Sequence, residues 1–152
     1  MLAEAILCLA VTIYHEGRGE PLDGQKAIVN VVVNRSLESG KTICEEVKRK
    51  NQFSWYKPHK EKSLFNIGEE NLYKFGDIAL NAVFEDDNTN GAQFFHNPSV
   101  KPYWTKSMNQ TARFGNHMFY KLPRQKKYSK EEREALIIKE IVPLTDTNNN
   151  RL

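Results

Sequence analysis

Residues 13–35 read IYHEGRGEPLDGQKAIVNVVVNR. An apolar-periodic segment runs into a turn holding two glutamates, an arginine and two glycines, and a second apolar segment begins after Pro21. Upstream, Leu2, Ala5, Ile6, Leu9 and Ile13 follow the i, i+3, i+4 spacing of one helix face, which predicts a helix over 2–16. Downstream, Ala27, Ile28, Val31, Val32 and Arg35 keep that spacing, and Pro21 suits a first helical position, so a second helix is expected to run to residue 37. Gly17 fits the left-handed residue that follows a helix end. Two helices therefore meet at a corner, and the corner carries Glu16 and Glu20 where a turn alone would need one glycine.

The rest of the chain reads outward from this corner. Thr42 with Glu45 forms a capping-box pattern for a short helix over 43–50. NQFSWYKP (51–58) reads as a loop, and 59–66 as polar and irregular. Leu72, Phe75, Ile78, Ala79, Ala82 and Val83 give a strong helical stripe over 69–85, closed by the turn residues DDNTNG. AQFFHNP (92–98) and ARFGNHMFYKL (112–122) alternate like two strands of a small sheet, with a loop between them. Ser129 with Glu132 caps a last helix over 130–141, and TDTNNNRL reads as a tail. The sum is α+β: mostly helical with a small antiparallel β element. One domain spans 1–123, and 124–152 is a basic linker, a C-terminal helix and the tail.

The chain has 152 residues with 39% hydrophobic content, which suits one core. The net charge of +3 is too small to argue for nucleic acid, since KLPRQKKYSK (121–130) concentrates the excess. That segment reads as a solvated linker, or as a basic arm drawn to anionic wall polymers. Cys8 and Cys44 read as reduced, buried thiols rather than a disulfide framework. The N-terminal segment has no basic n-region and carries Glu4, so it reads as a folded helix rather than an export signal, and it is too short to span a bilayer.

Glu16 is the leading catalytic candidate. A carboxylate in the last turn of a helix lies near the negative end of the helix dipole, and Ile13 and Tyr14 can bury it. Both effects raise its pKa, as a general acid requires. The plainer alternative makes Glu16 and Glu20 solvated charges, one of them neutralised by Arg18. Glu20, beside Pro21 at a helix start, suits a capping or orienting role together with Arg18; as a second carboxylate it would complete a glycosidase pair. His15-Glu16 lacks the second histidine of a metalloprotease helix, and His59, His96 and His117 stand alone, so no metal or other cofactor is expected. Gln52, Ser54, His96, Trp104 and Tyr120 fall in stretches that interleave rings with amides, hydroxyls and imidazoles. These groups stack on sugar rings and bond sugar hydroxyls; they equally well brace a core. Trp55 is open to either role.

These blocks, taken in order, resemble the SleB-like (spore-cortex-lytic-enzyme-like) cell-wall hydrolases. The resemblance rests on Glu16, Arg18-Gly19-Glu20, Gly24-Gln25, Asn34-Arg35, QFSW at 52–55, GAQFFHNP at 91–98, Trp104 and GNHMFY at 115–120, and it covers 3–121. It implies a lysozyme-like fold and cleavage of peptidoglycan glycan strands between N-acetylmuramic acid and N-acetylglucosamine. It places the catalytic glutamate on Glu16 and implies a lytic transglycosylase that leaves a 1,6-anhydromuramic end. His15 stands where a small residue is usual and could tune Glu16. The expected setting is a monomeric phage-type lysin, made in the host cytoplasm without its own signal peptide and acting at the cell wall, with no nucleic-acid partner and no stable membrane insertion. The alternatives are a muramidase using Glu16 and a second carboxylate, or an inactive glycan-binding virion module.

Overall fold

The first helix, α1 (Glu4–Gly17), is the axis on which the other elements are assembled. Ala5, Ile6, Cys8, Leu9, Ala10, Val11, Thr12 and Ile13 are all buried, so the helix is enclosed on nearly every side. The protein is described by a computed structural model covering residues 3–49, 52–100 and 102–142. Three helices pack on α1: α2 (Leu22–Ser39), the short α3 (Ile43–Val47) and α4 (Glu69–Val83). The α4 stripe buries Phe75, Gly76, Ala79, Ala82 and Val83 against it. Gly40 ends α2 in the left-handed conformation (φ 74°) and donates its N–H to the Ser36 carbonyl, a turn that favours glycine. The Thr42–Glu45 and Ser129–Glu132 capping boxes both form.

Gly17 does something other than the expected left-handed stop. It lies inside α1, and Arg18 follows it at φ −60°. Its lack of a side chain serves packing: a Cβ there would lie 2.5 Å from Ile28 Cδ1, so glycine lets the last turn of α1 meet α2. Pro21 stands one residue before the first helical position, which is Leu22. The expected irregular stretch after residue 58 is a 3₁₀ turn, Pro58–Ser63.

The β element has three strands rather than two. β1 (Phe94–His96), β2 (Asn109–Phe114) and β3 (His117–Lys121) form an antiparallel sheet in the order β1–β3–β2. The block read as one strand is the β2–β3 hairpin, which turns at Gly115 (φ 53°). A 3₁₀ turn, Tyr103–Ser107, occupies part of the expected loop. The hairpin tip abuts the α1–α2 corner: a Cβ on Gly115 would lie 2.7 Å from Pro21 Cδ and 3.0 Å from Glu20 Oε1.

The final helix, α5 (Lys130–Glu140), shares the helical core through Ile137 and Ile141. It is fastened by polar groups inside the protein. Buried Arg133 donates to the side-chain oxygens of Asn34 and Asn30 on α2, and Asn34 Nδ2 donates to Asp87 Oδ2 at 2.9 Å and to the Ala92 carbonyl at 3.0 Å. The basic stretch before α5 is largely consumed at home. Lys126 pairs with Glu132 at 2.6 Å, Lys130 with Asp86 at 3.7 Å, and Lys121 donates to the Leu122 and Gln125 carbonyls. The sequence TDTNNNRL lies outside the described residues. No helix among the described residues is long and apolar enough to cross a membrane.

The cysteines correct the expectation of reduced thiols: Cys8 and Cys44 form a disulfide. Cys8 on α1 faces the first turn of α3 at a Cα–Cα distance of 5.5 Å, within the range a disulfide spans. Their separation of 36 residues conceals this in the sequence. Closing a loop of that length constrains the unfolded chain, so the double variant Cys8→Ala/Cys44→Ala is expected to lose on the order of 2–4 kcal/mol of stability in a urea titration. An unchanged unfolding midpoint would contradict the structural role of the bond.

Candidate active site

Glu16 sits in the last turn of α1, half-buried, at a groove of about 400 Å³. The groove is lined by Glu16, Gln52, Phe53 and Arg35 from the helical side, and by Gln93, Phe94, Phe95, Trp104 and Met108 from the sheet and its loops, with Val31 below. Burial holds the Glu16 carboxyl above the ordinary value of 4.5. Among the described residues no cation pairs with it and no donor hydrogen-bonds it, so nothing on the protein side favours its ionised form. It is the one carboxylate among the described groove-lining residues.

Trp104 reaches the groove from the 3₁₀ turn after Pro102. Its indole is boxed by Phe94 (5.9 Å between ring centroids), His96 (5.7 Å) and Tyr120 (5.6 Å). His96 and Tyr120 lie on neighbouring strands two residues out of register, His96 being opposite Met118 and Tyr120 opposite Phe94: they stack at 5.2 Å, and the Tyr120 hydroxyl and His96 Nε2 are 2.8 Å apart. His96 Nδ1 lies 2.9 Å from the Asn97 carbonyl, so Nδ1 carries the proton and Nε2 accepts from the tyrosine. These two side chains brace Trp104 from behind rather than line the groove.

The other candidates divide similarly. Gln52 lines the groove, whereas Ser54 is exposed and does not. Glu20 is turned to the hairpin: its Oε1 accepts from the Asn116 backbone N–H at 2.7 Å, its Oε2 accepts from Asn116 Nδ2 at 3.3 Å, and His117 Nδ1 is 3.2 Å away. Arg18 neutralises neither glutamate; it donates to the Tyr14 carbonyl at 2.9 Å and lies over the Tyr14 ring. His15 points away from the acid chemistry and stacks on Trp55 at 4.5 Å, which in turn stacks on Phe53 at 5.4 Å. Burial, then Arg18, lowers the His15 pKa, so its imidazole is neutral near neutral pH. Of the groups read as packing or binding, Trp55 thus braces Phe53 at the groove.

Arg35 and Gln93 were not among the expected site residues. Arg35 carried a signal: it is a charge four residues past Val31 on an otherwise apolar helix stripe. Gln93 had none, because only the fold brings its strand end to the groove. The one cluster of metal-ligand types among the described residues is Glu4, Cys8 and Cys44, and its two sulfurs are already bonded to each other.

Comparison with known proteins adds to this geometry. A family model described as Cell Wall Hydrolase matches residues 19–120, a span that opens just after Glu16. The catalytic domain of the germination-specific lytic transglycosylase SleB from Bacillus anthracis is similar at 25% identity and TM-score 0.63, over 77% of this chain and 93% of that one. The catalytic domain of the Bacillus cereus SleB protein is similar at 23% identity and TM-score 0.62, over 80% of this chain and 93% of that one. No curated protein sequence matches the chain significantly. The architecture is accordingly of the lysozyme-like α+β class, mostly helical with a three-stranded antiparallel sheet.

Two outcomes follow from the site. Because the folded-state pKa of Glu16 is raised above 4.5, its contribution to stability is fully present below that value and is lost as pH rises through the raised one. Glu16→Gln removes the loss, so the variant is expected to melt at or above the wild-type temperature at neutral pH and level with it near about pH 4. A lower melting temperature confined to neutral pH would mean that the carboxylate is stabilised in the fold. Trp104→Ala is expected to raise KM on solubilised glycan about tenfold or more, since stacking contributes roughly 1–2 kcal/mol, while melting changes less. An unchanged KM would remove Trp104 from the binding surface.

Proposed function

The chain belongs to the Cell Wall Hydrolase family, and on that premise we propose that it cleaves peptidoglycan glycan strands between N-acetylmuramic acid and N-acetylglucosamine, as a lytic transglycosylase with Glu16 as its general acid and base. One observation carries this reading: a half-buried carboxyl with a raised pKa stands on a glycan-sized groove whose described lining contains no second carboxylate. A glycosidase pair would hold two carboxyl groups about 5–9.5 Å apart across the scissile bond. The natural partner in sequence, Glu20, is engaged by Asn116 and His117 and does not line the groove.

A single carboxyl suffices if the substrate supplies its own nucleophile. Protonated Glu16 gives its proton to the glycosidic oxygen, and the bond from that oxygen to the muramic C1 breaks with the electron pair leaving on oxygen. The resulting Glu16 carboxylate takes the proton of the muramic C6 hydroxyl, whose oxygen closes on C1. The acid is regenerated and no water is consumed. The Cys8–Cys44 disulfide supports a place of action on the wall side of the membrane, because such bonds persist in oxidising compartments.

Mass spectrometry of purified peptidoglycan after digestion tests the proposal. Muropeptides with 1,6-anhydromuramic ends are expected, one water lighter than reducing ends, and Glu16→Gln should slow their release by about 10²-fold or more. Reducing ends that carry oxygen from labelled water would identify a muramidase instead. A folded Glu16→Gln variant of undiminished activity would take Glu16 out of the mechanism.

A further inference from the structure

Below the groove lies a carboxylate that the chemistry just described does not use. Glu46 on α3 is 1% exposed. Its Oε1 accepts from Arg35 Nε at 3.2 Å, and Arg49 Nε approaches its Oε2 at 3.3 Å. Both arginines lead back to the groove. Arg35 lines it directly, over the Phe94 ring, and also donates to the Gln93 carbonyl at 2.8 Å. Arg49 Nη2 donates to Gln52 Oε1 at 3.1 Å, and Gln52 is itself a groove residue.

These bonds fix which atoms the groove offers. With Oε1 of Gln52 engaged by Arg49, its amide presents the Nε2 donor end. A guanidinium has five N–H donors; Arg35 uses one on Glu46 and one on the Gln93 carbonyl, which leaves three on a side chain that lines the groove. Gln93 differs, because its side-chain amide is held inside the protein. The Leu122 N–H donates to Gln125 Oε1 at 2.9 Å, Gln125 Nε2 donates to Gln93 Oε1 at 3.0 Å, and Gln93 Nε2 is left buried without an acceptor. Two groove residues, Arg35 and Gln52, thus keep N–H donors for a ligand, while the Gln93 amide nitrogen is enclosed by the protein.

We propose that Glu46 is the positioning residue of the groove, holding Arg35 directly and Gln52 through Arg49 so that the bound glycan meets N–H donors suited to its carbonyl oxygens. This rests on the reading of the groove as a glycan site. The substituent such a wall selects is an amide carbonyl, which only accepts, over a hydroxyl, whose proton would go unmatched. The ion pairs balance much of the charge on Arg35, which favours a neutral acceptor over a carboxylate.

The charged groups facing Glu46 are Arg35 from α2, Arg49 from the end of α3, and Lys41 from the α2–α3 turn. Burial pushes its carboxyl up to about 7, with Lys41 pulling the other way. The carboxylate is the form that grips both guanidinium groups, so the hold on the groove loosens as pH falls through that region.

The test uses the full chain and soluble, enzymatically trimmed glycan strands, with KM and kcat followed separately over pH. In the wild type KM is expected to rise as pH falls through about 7. In Glu46→Gln it should be raised about five- to tenfold throughout and lose that dependence, as the charge-assisted bond from Arg35 and the ion pair with Arg49 both weaken. Should Glu46→Gln fold poorly, Arg49→Gln cuts only the arm to Gln52 at a 38% exposed side chain. It is expected to raise KM about threefold or more with kcat and melting temperature held. Arg49→Gln or folded Glu46→Gln with wild-type KM and wild-type pH dependence overturns the proposal alone. Wild-type protein that neither binds nor cleaves the strands overturns the glycan reading, and the proposal with it.

Discussion

A carboxyl group held partly out of water, with no cation among the described residues to balance it, is the constraint on which the site depends. Ionising Glu16 costs more in the fold than in solvent, and the end of a helix adds the unfavourable field of its carbonyl dipoles. That cost is what keeps the proton available for transfer. It is imposed by position: α1 is buried along almost its whole length, so its last turn delivers Glu16 to the groove from inside the protein. Gly17 completes the placement by letting that turn touch α2. An arginine turned toward Glu16 would undo the effect, and Arg18, the nearest in sequence, is instead held back on Tyr14.

The rest of the molecule keeps two unlike halves in register around that acid. The helical half supplies Glu16, Arg35 and Gln52, and the sheet half supplies Gln93, Phe94 and Trp104. Three sets of polar contacts join them. Glu20 grips the hairpin tip, Arg35 reaches the Gln93 carbonyl, and the Asn30, Asn34, Arg133 and Asp87 network binds α5 and the loop before β1 to α2. Apolar packing alone would tolerate small slides between the halves, whereas buried hydrogen bonds and ion pairs fix one geometry because an unpaired buried charge is costly. In this account Glu20 belongs to the framework and Glu16 to the chemistry, though the two lie four residues apart.

Much of this was legible in the sequence where the signal is local. Apolar spacing located α1, α2 and α4, and Ser/Thr-x-x-Glu patterns located the starts of α3 and α5. Glu16 was legible because a helix-end carboxylate beside glycines is a local pattern. What escaped depends on contacts between distant segments. The Cys8–Cys44 pairing needs α3 to pack on α1, and Gly17 read as a stop because its contact, Ile28, lies on another helix. The β2–β3 hairpin hid within one aromatic run that turns at Gly115. Alternating rings and polar groups singled out Gln52, Ser54, His96, Trp104 and Tyr120 alike, yet could not say which face each would occupy. Only the fold separates Gln52 and Trp104 on the groove from the His96–Tyr120 brace behind it and from exposed Ser54.

The central claim is that burial keeps Glu16 protonatable at a pH where ordinary carboxyls have ionised. The most direct measurement is an NMR pH titration of protein labelled with ¹³C at the glutamate side-chain carboxyl, with the Glu16 signal assigned by its loss in Glu16→Gln. The account predicts a midpoint for this signal clearly above 4.5, displaced from those of the solvent-exposed glutamates. A midpoint at or below 4.5 would contradict it, because the groove would then hold a carboxylate with no proton to give.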